Sequence, residues 1–190
     1  MKLLFLDFDG VLNSAQSDVY HLRGLGRSDE FGMPVDFFCP LAISNLNFVC
    51  EMIADLNVVI SSSWRTNRDV CTLRKILTSN GFLYSDRVLD KTPYLSSSTK
   101  TPWGDMHRNV IRGEEVQAWL DENTKVSEQS CLMPKFQVDD IVILDDDEEF
   151  GALDPKLIRT NPVVGFMWND VLTLLERLKP DWMDHVHNVR

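Results

Sequence analysis

Asp7-Phe8-Asp9 places two carboxylates one residue apart. At that spacing they can divide the labour of a phosphoryl transfer, one attacking phosphorus as nucleophile and the other handling the leaving-group proton. Gly10 follows directly and lets the backbone turn sharply beside a bound group. Far along the chain, Asp145-Asp146-Asp147 adds a second acidic cluster. So many like charges in one place need a cation, and oxygen ligands without His or Cys favour a hard, octahedral ion such as Mg²⁺. An anionic nucleophile is also repelled by an anionic phosphate, so the site needs hydrogen-bond donors and positive charge around the transferring group. A hydroxyl from Ser61-Ser62-Ser63 and a basic side chain would supply both. The competing reading makes each acidic cluster a solvated strand end or a helix cap. That suits a lone Asp, but not several apolar strands that all end in the required side chains.

Those strands are legible as short apolar runs stopped by polar clusters. Leu3 to Leu6 is stopped by Asp7, Val58 to Ile60 by Ser61, and Ile141 to Leu144 by Asp145. Weaker strands are expected through Val88-Leu89 and through Val163 to Phe166. Helical spacing of apolar residues predicts helices from about Pro40 to Asp55, from Asn67 to Ser79 and from near Arg112, and a last one with Asn169 as N-cap. Strands alternating with helices imply an α/β fold with a parallel sheet, and ligands of such sheets bind outside the carboxyl ends of the strands, where these polar clusters lie. The stretches Ser14 to Val35, Tyr94 to Asn109 and Thr124 to Asp139 read as irregular loops. With no repeat and no boundary, residues 1–190 read as one domain.

The ordered set Asp7-Phe8-Asp9-Gly10-Val11-Leu12-Asn13, Ser61-Ser62-Ser63, a basic residue opening a helix, and Ile143-Leu144-Asp145-Asp146 resembles the four motifs of the haloacid dehalogenase (HAD) superfamily of phosphotransferases. Ser62-Ser63-Trp64-Arg65, Arg112-Gly113-Glu114-Glu115-Val116 and Leu144-Asp145-Asp146-Asp147 narrow the resemblance to HAD domains of phage and bacterial proteins and of RNA-repair enzymes, from Lys2 to about Leu178. The resemblance implies a Rossmannoid three-layer α/β/α fold with a minimal cap, and a Mg²⁺-dependent phosphomonoesterase. Asp7 then matches the nucleophile that becomes an aspartyl-phosphate. Asp9 matches the general acid and base, with its backbone carbonyl on the metal. Ser62 matches the phosphate-binding hydroxyl, with Ser61 the alternative and Ser63 a neighbouring substrate-binding position beside Gly10. Arg112 stands where most members carry Lys, and its guanidinium can grip phosphate as a fork. Asp145 and Asp146 match the acidic pair that completes the metal site, Asp146 being the preferred direct ligand.

Composition bounds the partners. The 190 residues are 44% hydrophobic and 25% charged, ordinary for a globular domain, and the formal charge of −10 makes the average surface repel polyphosphate, so a nucleic acid must be held locally. The apolar run Leu3 to Leu6 is broken by Asp7 and Asp9, which leaves no signal peptide or membrane span and points to a soluble, cytoplasmic chain. Four scattered cysteines lack zinc spacing and read as reduced structural thiols. Oligomeric state stays open.

Only Ser14 to Pro40 is available for a cap, too little for a large one; by analogy with the family, an open site admits bulky substrates such as a single-stranded nucleic-acid 3′-end or a nucleotide. Tyr20, His21, Arg23 and Arg27 could reach from this flap. Arg108 leads into a segment similar to the basic stretch of phage polynucleotide kinase-phosphatases, and with Arg65, Lys100 and His107 would form a small positive rim. Trp64 and Trp103 could stack bases, or serve as packing and a loop anchor. The alternatives are a phosphatase of a small metabolite or phosphoprotein, and a HAD-like binding module without catalysis.

Overall fold

The computed structural model describes residues 1–22, 38–95, 97–101, 104–108, 110–124 and 136–183. In chain order the elements are β1 (Lys2–Leu6), α1 (Ala15–Leu22), α2 (Pro40–Met52), β2 (Leu56–Ile60), α3 (Val70–Ser79), β3 (Val88–Lys91), β4 (Ser97–Thr101), β5 (Gly104–Arg108), α4 (Arg112–Thr124), β6 (Asp140–Asp145), β7 (Leu157–Arg159) and α5 (Trp168–Leu178). Five strands form one parallel sheet in the order β3-β2-β1-β6-β7, while β4 and β5 pair as a separate antiparallel hairpin.

Alternation along β1 divides the core in two. Leu4 and Leu6 join Val58, Ile60, Val142 and Leu144 under α2, α3 and α5, through Leu46, Leu73 and Leu174 among others. Leu3 and Phe5 face the other way and pack with Val59, Ile143 and Phe150 against Val116 and Trp119 of α4. Strands buried on both faces must be apolar at successive positions, which is why the central runs were readable as runs. Gly113 at the start of α4 has a tight neighbour, since a Cβ there would fall 2.2 Å from the carbonyl oxygen of Phe150. The helix can reach the sheet only if that position has no side chain.

Register sets up the site. Leu6 pairs with Ile60 on one side and with Leu144 on the other, so Asp7, Ser61 and Asp145 emerge in one row at the carboxyl edge. The row is pinned by Asp7 N–H to Leu144 O at 3.0 Å and Ser61 N–H to Leu6 O at 2.9 Å. From β1 the chain builds outward through β2 and β3, then returns to the opposite side of β1 for β6. The order reverses between β1 and β6, and Asp7 and Asp145 flank that reversal, where open α/β sheets bind ligands.

Several expectations need correcting. Val163 to Phe166 is a turn closed by Gly165 N–H to Asn161 O at 2.8 Å, and the edge strand lies earlier, at Leu157–Arg159. The last helix is capped at Met167 rather than Asn169, with the Met167 N–H donating to the Asp170 carboxylate at 2.8 Å. Ser14 to Val35 contains α1, and Tyr94 to Asn109 contains the β4-β5 hairpin. Arg23, Arg27, Trp103 and the greater part of the expected flap and of the loop Thr124 to Asp139 lie outside the described residues.

Candidate active site

The first residue past β1, Asp7, is 5% exposed, and its Oδ1 accepts the N–H of Phe8 at 2.8 Å. The Ser62 hydroxyl and the Arg112 guanidinium lie close enough to favour its charged form. Across the strand-order reversal, Asp145 is fully buried and its Oδ1 accepts two backbone N–H groups, from Asp147 at 3.1 Å and Glu148 at 2.9 Å. Its Oδ2 is buried with no hydrogen-bond partner among the described residues. Carboxylate oxygens of Asp7, Asp145 and Asp146 lie within 4.8 Å of one another. Gly10, at φ 69°, makes this approach possible: a Cβ there would lie 2.2 Å from Cγ of Asp146. Thr160 ties the two halves together, its hydroxyl donating to Gly10 O at 3.0 Å and its N–H to Asp145 O at 3.0 Å.

The electrostatics match a site built for a cation. Burial, then the charge of Asp145, pushes Asp7 up to about 7, against the opposing pull of the Phe8 N–H, Ser62 and Arg112. Burial also raises Asp145 and Asp146. An orphaned buried oxygen, three converging carboxylates and no nitrogen or sulfur donor among them fit a hard divalent ion. Without metal, the Asp7 carboxyl of the folded chain, raised to about 7, holds its proton between about pH 4 and 7, where the same group in the unfolded chain has lost it. Metal-free stability is therefore expected to fall as pH rises through that window, with Asp7 contributing up to about 4 kcal/mol. Melting curves in chelator and in Mg²⁺ check this. The chelated protein should melt lower at pH 7.5 than at pH 5, and the Mg²⁺ increment should be larger at pH 7.5; equal increments at both pH values contradict it.

The other expected residues fall into two groups. Asp9 is exposed and does not belong to the carboxylate triad. It accepts from Asn13 Nδ2 at 2.8 Å, from Ser63 Oγ at 3.4 Å and from the indole Nε1 of Trp64 at 3.1 and 3.0 Å. Ser62 opens the short 3₁₀ turn Ser63–Arg65 and faces Asp7, whereas the Ser61 hydroxyl is buried without a partner among the described residues. Arg112, the first residue of α4, donates through Nη1 to Ser61 O and through Nη2 to Glu148 at 3.3 Å. Arg65 does not sit on a rim. It is 2% exposed, and its guanidinium donates to the carbonyls of Ser61, Ser62, Thr92 and Pro93 and to the Glu115 carboxylate. Arg108 closes β5, on the hairpin that also carries Lys100 and His107.

Trp64, expected to stack bases or to pack, packs on Phe8 and donates to Asp9, whereas Glu115 is a residue to which sequence reasoning assigned no role in the site. Glu115, 5% exposed, meets Arg65, lies 3.9 Å from Arg112 and accepts the Leu95 N–H at 3.0 Å. The signal was its i,i+3 spacing from Arg112, which puts both on one helix face.

The family model described as "HAD domain in Swiss Army Knife RNA repair proteins" matches residues 3–171. The chain belongs to that family. Its parallel five-stranded sheet, with helices on both faces, is the HAD-like Rossmannoid fold. Searches of curated proteins and of solved structures found no match. In this HAD domain the first-motif carboxylates, the serine turn and the acidic pair lie on one edge of the sheet. Among the described residues no helix is long and apolar enough to cross a membrane.

Proposed function

We propose that this single HAD domain is a Mg²⁺-dependent phosphomonoesterase working through phospho-Asp7, with a nucleic-acid 3′-end or a nucleotide phosphate as substrate. The observation that carries the reading is the surroundings of Asp7: two further carboxylates together with the Ser62 hydroxyl and the Arg112 guanidinium. Asp7, Asp145 and Asp146, with the Asp9 carbonyl, would hold the ion. When bound, Mg²⁺ would supply positive charge to nucleophile and phosphate, offsetting the burial and, after it, the Asp145 charge that favour the protonated Asp7 carboxyl.

The chain's own groups then perform two displacements. An Asp7 oxygen forms a bond to phosphorus as the bond to the leaving oxygen breaks, and Asp9 gives that oxygen its proton. Water then attacks phosphorus, its proton passes to Asp9, and the bond to Asp7 breaks to release inorganic phosphate. Ser62 donates to a phosphoryl oxygen throughout, and Arg112 exchanges its contact with the half-exposed Glu148 for the phosphate.

The nucleic-acid assignment rests on the RNA-repair setting of the family. With ten net negative charges, the domain would grip a terminal phosphate rather than a duplex. Rates on 3′- and 5′-phosphorylated oligonucleotides, mononucleotides, sugar phosphates and a phosphopeptide test it. The highest kcat/KM is expected on a 3′-phosphorylated strand. Preference for a sugar phosphate or the phosphopeptide contradicts the substrate class, and binding of Mg²⁺ and phosphate mimics without turnover of any ester contradicts the enzyme.

A further inference from the structure

We infer that Trp64 is a positioning residue for Asp9, an inference that rests on the proposed role of Asp9 as general acid and base. The indole Nε1 is within hydrogen-bond distance of both Asp9 oxygens, at 3.1 and 3.0 Å. Asp9 is an exposed side chain past the end of a strand, and besides the indole only Asn13 Nδ2, at 2.8 Å to Oδ1, and Ser63 Oγ, at 3.4 Å to Oδ2, hold it among the described residues. Its indole partner is itself fixed. The Trp64 ring meets Phe8 edge-on with centroids 5.6 Å apart, lies 5.6 Å from Phe38, and carries the Arg68 guanidinium 5.2 Å from its centroid. The Trp64 backbone N–H donates to Ser62 Oγ at 3.4 Å, so the turn that presents the phosphate-binding hydroxyl also presents the donor that aims Asp9. The aromatic packing around the partly buried indole thus restrains the exposed carboxylate that is to deliver the leaving-group proton. Trp64 touches neither phosphate nor metal in this scheme and acts through Asp9.

The test uses Trp64→Phe, which keeps an aromatic ring against Phe8, Phe38 and Arg68 and deletes the N–H. Single-turnover rates of phosphoryl transfer are measured with Mg²⁺ on an alkyl phosphate, whose leaving group needs a proton, and on p-nitrophenyl phosphate, whose leaving group needs little. Asp9→Asn serves as reference, and melting curves establish that each variant is folded. Trp64→Phe should slow the alkyl ester by about 10- to 100-fold and the aryl ester by much less, in the same direction as Asp9→Asn. Equal losses on both esters, or none on either, overturn the inference if Asp9→Asn separates them. If Asp9→Asn also fails to separate them, the general-acid reading of Asp9 fails and the inference falls with it.

Discussion

Asp7→Asn is expected to lower phosphomonoester turnover by about 10⁴-fold or more, the scale seen when a covalent nucleophile is deleted. The amide is nearly isosteric, so the hydrogen bond from the Phe8 N–H survives, but it has no anionic oxygen to attack phosphorus. Loss of fold is not a rival explanation. Asp7 is a buried carboxyl whose charge is opposed first by burial and then by Asp145, so a neutral side chain relieves a repulsion in the metal-free protein. The variant should therefore melt no lower than the parent in chelator at neutral pH, and should gain less from added Mg²⁺. Steady-state rates on an aryl phosphate, together with melting curves, check both halves. Turnover within about tenfold of the parent would sink the covalent mechanism.

The second large effect concerns stability. Glu115→Ala leaves the Arg65 guanidinium, 2% exposed, without its only carboxylate partner among the described residues, and breaking a buried pair from one side costs about 3–5 kcal/mol. For a chain of this size the melting temperature should fall by about 6–20 °C. Burial and then the neighbouring Arg112 lower the pKa of Arg65, and Glu115, followed by Asp7, opposes them. The consequence extends to the site, because Arg65 donates to Ser61 O at 2.8 Å and Ser62 O at 2.7 Å and so orients the serine turn beside Asp7. A double-mutant cycle with Arg65→Met separates the pair from its surroundings. The double variant should be more stable than the sum of the two single losses implies, by about 1–3 kcal/mol. Strict additivity, or a Glu115→Ala shift of only about 2 °C, contradicts a coupled pair.

How much of this was legible depended on whether a residue's neighbours are close in sequence. β1, β2 and β6 are read directly because strands covered on both faces are continuous apolar runs, and their ends place Asp7, Ser61 and Asp145 on one edge before any coordinates are known. β7 escapes because it is three residues long and lies at the sheet edge, and its pairing with β6 is nonlocal. Val163 to Phe166 imitates a strand, yet Gly165 has φ 77° and its absent Cβ would sit 2.7 Å from Val11 O, a constraint written in the position of the first motif. Arg65 is the most instructive misplacement. A basic residue beside a serine motif suggests a substrate cation, and only the arrangement of four carbonyls and Glu115 around it reveals a buried clamp. Asp145 and Asp146 were legible as a pair at the same edge as Asp7, but the close approach of Asp146 to Gly10 is a product of the strand order.

The most direct measurement is chemical trapping of the intermediate. The Mg²⁺-loaded protein is mixed with excess substrate, quenched in acid within the first turnover and reduced with borohydride, which converts an acyl phosphate to an alcohol. Peptide mass spectrometry should then find homoserine at position 7, in an amount that follows the burst of released alcohol and vanishes in chelator. Continued turnover with an unmodified Asp7 in every quenched sample, or homoserine appearing at Asp9, Asp145 or Asp146 instead, would contradict an account in which Asp7 is the nucleophile and its acidic neighbours hold the metal.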